Sequence, residues 1–177
     1  YITPILLQAN PARIGETMAL IGRTVQGNHF AKSAVESALL DAMGKRAGLP
    51  VSDFFGGRQH DRLPVAWTLA SGDTGRDIAE AEEMLAKRRH RIFKLKIGKG
   101  DPKANIAHVA AIKKALGDRA SIRVDINQAW SEATASACLP LLRDAGVDLI
   151  EQPVALRNIR GLARLARETS VAIMADE

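Results

Sequence analysis

The chain has 177 residues, 46% of them apolar and 25% charged, with a formal net charge of +5. That composition is ordinary for a globular protein and gives enough chain for one good core or parts of two, while no apolar run approaches the ~20 residues of a membrane span. The positive balance does not point to nucleic acid, because the basic residues are spread out rather than gathered in one block and aromatics are only 4%.

The opening YITPILLQAN lacks the charged start and cleavage site of a secretory signal, and without an initiating Met the chain is expected to begin partway into a larger protein. Residues 11–48 read as helix. Within them Ala34, Val35, Ala38, Leu39, Ala42 and Met43 repeat at the i, i+3, i+4 spacing of a buried stripe, and Gly48 and Pro50 stop the run. The turn-rich FFGGRQHDR (54–62) is the natural connector, giving expected domains of 1–58 and 59–177.

Beyond Arg62 strands and helices alternate. The first strand lies in LPVAWTLASG, followed by the helix DTGRDIAEAEEMLAKR. The run KRRHR (Lys87 to Arg91) reads as a solvated helix end, with its cations near the C-terminal dipole. RIFKLKIG is the second strand. DPKANIAHVAAIKKALGD is a helix, with Asp101 as its cap and Pro102 in its first turn. SIRVDINQ is the third strand, and SEATASACLPLLRDAG a helix capped by Ser131 and bent at Pro140. Its Cys138, the one cysteine, rules out an internal disulfide framework, reads as a buried inert thiol and fits a reducing cytoplasm. VDLIEQP is the fourth strand, RNIRGLARLARETS a helix and VAIMADE the fifth strand. This βα alternation predicts an α/β fold with a parallel sheet, either the first part of an α/β barrel or a doubly wound sheet.

The chemistry sits at the strand ends. Lys94 and Lys96 project from one side of the second strand, Phe93, Leu95 and Ile97 from the other. Asp125 and Asn127 share a face of the third strand's end, Glu151 ends the fourth and Asp176 the fifth. The steps are 29 residues from Lys96 to Asp125, 26 to Glu151 and 25 to Asp176, each about one βα unit. Every group therefore returns to the same end of its own strand, the active-site end of a parallel barrel. Taken singly, Lys-x-Lys reads as a solvated edge strand and a lone Asp or Glu as a cap or loop charge. Their occurrence in order at successive strand ends argues otherwise. Glu177, one position on, is the alternative inward residue to Asp176. Three carboxylates converging in a sheet interior need a cation, and all-oxygen anionic ligands suit Mg²⁺ or Mn²⁺.

KLKIG, VDINQAW, LIEQPV and IMADE, in that order and spacing, resemble the muconate lactonizing subgroup of the enolase superfamily. AVESALLDAMGKRAGLPVSDFFGG is similar to the helical end of that family's α+β capping domain, and VAWTLASGD to its muconate-converting members. The resemblance runs along the whole chain. It implies a (β/α)8 TIM-type barrel, of which about five strands are present, and an isomerase of bacterial aromatic catabolism. The implied reaction converts cis,cis-muconate to muconolactone through an enolate. It further implies that Asp125, Glu151 and Asp176 ligate Mn²⁺ or Mg²⁺, and that Lys96 is the proton donor and acceptor. Lys94 would tune and orient Lys96, and Asn127 would lie just behind the ligands. The pairing of a Lys base with Mg²⁺ is the known arrangement of that superfamily. Two adjacent cations and a metal would disfavour charge on a lysine and prepare it as a base.

A small dicarboxylate is the implied partner, with no nucleic acid or membrane, in a cytoplasmic homo-oligomer. Other members of the subgroup are the alternatives: dipeptide epimerase, N-acylamino acid racemase or o-succinylbenzoate synthase. A doubly wound signalling receiver and a metal-free α/β binding domain are readings from other classes. The resemblance also implies an opposing lysine on a later strand, so these 177 residues are expected to be an internal part of a longer enzyme and inactive alone.

Overall fold

A computed structural model describes residues 1–177 and divides them into two units, Tyr1–Arg62 and Leu63–Glu177. The division falls after Arg62 rather than after Arg58, so the whole turn-rich connector stays with the first unit.

The first unit holds three helices: α1 (Ile2–Gln8), α2 (Ile14–Thr24) and α3 (His29–Ala47), then a 3-10 turn at Val51–Phe55. The expected single helix over 11–48 is two helices. Gly27 and Asn28 both adopt left-handed backbone, φ 59° and 51°, which an α-helix cannot continue through and which Gly and Asn tolerate best. α3 ends as expected at Gly48, in left-handed conformation, with the Leu49 N–H donating to Gly44 O.

The expected buried stripe on α3 is not buried. Ala34, Ala38 and Ala42 are exposed, and Val35, Leu39 and Met43 only half-buried. Leu6, Ala9 and Pro11 line an open groove with Ala34, Val35, Ala38 and Leu39 of this face. Burial in this unit centres instead on Thr17 and Ile21 of α2 and on Gly44, where a Cβ would lie 2.8 Å from Leu49 O.

The second unit alternates β1 (Trp67–Leu69), α4 (Thr74–Ala86), β2 (Ile92–Lys96), α5 (Pro102–Leu116), β3 (Ser121–Asp125), α6 (Glu132–Asp144), β4 (Leu149–Glu151), α7 (Ile159–Glu168) and β5 (Ala172–Met174). The five strands form one parallel sheet in sequence order, β1-β2-β3-β4-β5. α4 packs on α5, α5 on α6 and α6 on α7. A doubly wound sheet requires a reversal of strand order. Here there is none, so this unit has the singly wound order of a barrel, and the receiver reading is excluded.

Side-chain alternation does the rest. Phe93, Leu95, Ile122, Val124, Ile126 and Ile150 are fully buried, on the side covered by the helices. Each such burial stabilises by about 1.5–3 kcal/mol. The alternate residues Lys94, Lys96, Arg123, Asp125 and Glu151 take the opposite side, as the sequence period requires.

Caps match the local chemistry. Asp73, Asp101, Ser131 and Asn158 each accept a backbone N–H at the start of α4 to α7, Asp101 with Pro102 at the first helical position. α6 continues through Pro140, with buried Cys138 before it, and burial pushes the Cys138 thiol up. The KRRHR run lies past the end of α4, not in its last turn, because Lys87 is already the cap and Arg88 turns left-handed at φ 52°. There the His90 imidazole meets Val65 O at 2.9 Å and Trp67 at a ring separation of 5.0 Å. No helix is long and apolar enough to cross a membrane.

Candidate active site

Strand register builds the site. Lys96, Asp125 and Glu151 are direct partners across β2, β3 and β4, so their side chains leave the sheet side by side at its C-terminal end. Asp125 and Glu151 are buried. Lys96 Nζ donates to Asp125 Oδ2 at 2.6 Å and to Asn127 Oδ1 at 2.8 Å. Lys94, one layer deeper, donates to both Glu151 oxygens at 2.9 Å and lies 3.1 Å from Asp125 Oδ2. The Asn127 N–H closes on Asp125 Oδ1 at 3.0 Å.

Two carboxylates and two lysines thus form one compact network. Burial opposes charge on Asp125, but the bonds from Lys96, Lys94 and the Asn127 N–H outweigh it and hold the carboxyl below its usual range. Glu151 goes the other way: burial first, then the neighbouring Asp125 charge, raise it against the pull of Lys94. Burial lowers Lys94, and Glu151 and Asp125 more than reverse this, so it is raised.

Asp176 is not gathered with the other two. It lies just beyond β5, exposed at the open edge of the sheet, and the three carboxylates do not form a group that could hold a metal ion in this arrangement. The reason is local. The β5 ladder ends at Met174, the partner of Glu151, so no strand pairing fixes the Asp176 side chain. Its neighbour Glu177 accepts a 3.3 Å bond from Asn127 Nδ2, which keeps that residue beside the site too. As a donor set the carboxylates fit a hard divalent cation. All their donors are anionic oxygens, the kind such a cation takes, and in this arrangement Lys94 and Lys96 supply the positive charge that the two buried carboxylates require.

Sequence reasoning missed three features. Asn127 and Gln128 after β3, and Gln152 after β4, are non-glycine residues with left-handed backbone, φ 45°, 67° and 36°. So Asn127 is part of a turn, not of the strand, yet it still reaches Lys96. Gln152 is buried and makes both of its side-chain bonds within the strand-end loops. Arg123, two residues before Asp125, points to the site side, with its Nε buried and unpartnered. The signal for Arg123 was the same two-residue period that identified Asp125. An open cavity of about 620 Å³ adjoins Lys96 and Asn127, lined also by Gly72, Lys99, Asn105 and His108.

Comparison with known proteins adds the following. Residues 76–177 match the enolase C-terminal domain-like family, and residues 1–56 the N-terminal domain of mandelate racemase / muconate lactonizing enzyme. Over its whole length the chain is 57% identical to muconate cycloisomerase 1-1 of Acinetobacter lwoffii, covering 46% of that protein. It is 49% identical to a chloromuconate cycloisomerase of Pseudomonas putida, covering 48% of it. A solved structure of muconate lactonizing enzyme from Pseudomonas fluorescens complexed with muconolactone superposes with a TM-score of 0.94 at 57% identity. That match covers 98% of this chain and 47% of the other. The chain spans about half the length of the relatives it matches.

Proposed function

The chain belongs to the mandelate racemase / muconate lactonizing enzyme family of the enolase superfamily, and from that premise we propose that it is part of a muconate cycloisomerase. Members of the superfamily use a divalent metal. The observation that carries the reading is the register-aligned network of Lys94, Lys96, Asp125 and Glu151 at the strand ends. The 57% identity to a muconate cycloisomerase and the likeness to a muconolactone complex support the substrate.

Asp125, Glu151 and Asp176 would hold the metal. When bound, Mn²⁺ or Mg²⁺ supplies fixed positive charge for the negative charge that develops on a substrate carboxylate. The chain's own residues handle the proton. An oxygen of one muconate carboxylate bonds to an alkene carbon, and the displaced electron pair moves to the carbon beside the other carboxylate. Lys96 gives that carbon its proton. Two of its three ammonium N–H groups are committed to Asp125 and Asn127, which fixes the direction of the third. Lys94 keeps the buried carboxylates neutralised from below, and Asn127 orients Lys96.

The test is loss of muconate absorbance by the complete protein with added Mn²⁺, with chloromuconate run beside it because of the 49% identical chloromuconate enzyme. A Mn²⁺ titration on the same protein separates this reading from a metal-free binding domain. Turnover of an N-acylamino acid or a dipeptide with none of muconate would support the other members of the subgroup instead.

A further inference from the structure

Gln152 touches the ends of three successive strands. Its backbone N–H donates to Met174 O at 2.9 Å, at the end of β5, and its carbonyl accepts from the Gln128 N–H at 2.8 Å, beyond β3. Its side-chain Oε1 accepts from the Asp176 N–H at 2.8 Å, and Nε2 donates to Val154 O at 2.9 Å. The residue is 2% exposed and holds φ 36°. Left-handed backbone strains any residue with a Cβ, and glycine would adopt it freely. A buried glutamine at such a position is explained by what its amide does. The β5 ladder stops at Met174, and the Gln152 carboxamide supplies the acceptor that carries pairing on to Asp176.

We propose that Gln152 is a positioning residue that holds the Asp176 main chain at the end of β5, so that its carboxylate can join Asp125 and Glu151. This rests on the reading of Asp176 as a metal ligand given above. Both ends of the Gln152 carboxamide are engaged by the protein itself. It acts through one backbone amide, and the Val154 bond fixes which end of the carboxamide faces Asp176.

The experiment uses two variants of the complete protein. Gln152→Leu keeps the bulk and removes both side-chain bonds. Gln152→Gly removes them while relieving the backbone, which keeps the test available if the leucine variant does not fold. Two readouts apply. Hydrogen exchange in the metal-free protein should show the Asp176 amide losing protection in either variant, while the amides of β3 and β4 keep theirs. Titration with Mn²⁺ should show affinity falling at least about tenfold, the range of residues that orient ligands. In an Asp176→Asn background neither variant should weaken Mn²⁺ further, because the residue through which Gln152 acts has already lost its charge. A loss that adds in full to that of Asp176→Asn, or unchanged protection of the Asp176 amide, overturns the proposal. Unchanged Mn²⁺ affinity in Asp176→Asn alone overturns the ligand reading beneath it. Wild-type affinity in the Gln152 variants, with weakened affinity in Asp176→Asn, overturns only the role of Gln152.

Discussion

Lys96 Nζ lies 2.6 Å from Asp125 Oδ2, and the two residues are direct register partners on neighbouring parallel strands. The pairing places an ammonium group against a buried carboxylate with no loop intervening. Its geometry is therefore fixed by the sheet itself.

The first prediction concerns the carboxylates. In the complete protein, Asp125→Asn, Glu151→Gln and Asp176→Asn should each weaken Mn²⁺ binding at least about tenfold, since loss of a ligand should cost no less than loss of a residue that orients one. Calorimetric titration measures this. Should all three variants keep wild-type affinity, no metal site exists here. An effect of Glu177→Gln without one of Asp176→Asn would move the third ligand by one residue.

A second prediction concerns Gly98, two residues beyond Lys96. Its φ is 103°, and an added Cβ would sit 2.8 Å from Ile126 O and 2.9 Å from Ala129 Cβ. The Asn105 side chain pins the same turn by accepting from the Gly98 N–H at 2.9 Å. Gly98→Ala should destabilise the fold by about 1–3 kcal/mol through backbone strain and overpacking. Denaturant titration reads the loss, and an unchanged midpoint would contradict the tight turn.

The strand order, the caps at Asp101 and Ser131, and the placing of the lysines and carboxylates at one end of the sheet were legible because each follows from a local rule. Alternation placed Lys94, Lys96, Asp125 and Glu151 on one face, and the 25–29-residue steps put them at one end. The break at Gly27–Asn28 was not read, since apolar spacing continues on both sides of it and only the backbone angle divides the helices. Burial on α3 was over-read, because a stripe of apolar residues states a preference for cover without saying what supplies it. Gln152 was invisible for a different reason. Its role depends on bonds to Val154 and, 24 residues away, Asp176, which no spacing rule reports.

A third prediction is a pH dependence of stability. Glu132 at the start of α6 accepts from Arg164 at 2.5 and 2.7 Å and from Asn158 at 3.2 Å, tying α6 to α7. The bond from Arg164, then that from Asn158, lowers its carboxyl below the ordinary value. A folded-state value below the unfolded one contributes stability that is present above the unfolded value and lost as pH falls through the folded one. Glu132→Gln should therefore melt lower than wild type at neutral pH, and the gap should close in acid. The pair is exposed, so the gap should be small and should shrink in salt. A gap that widens in acid would reverse the sign.

The central claim is that Lys96 delivers the proton, and turnover of muconate in deuterated water tests it most directly. The complete wild-type protein should place one deuterium on the muconolactone carbon beside the carboxylate. Lys96→Ala should lose at least about 10²-fold in turnover, the scale of a general acid, while still binding Mn²⁺. A Lys96→Ala enzyme that forms deuterated muconolactone at the wild-type rate would contradict the account.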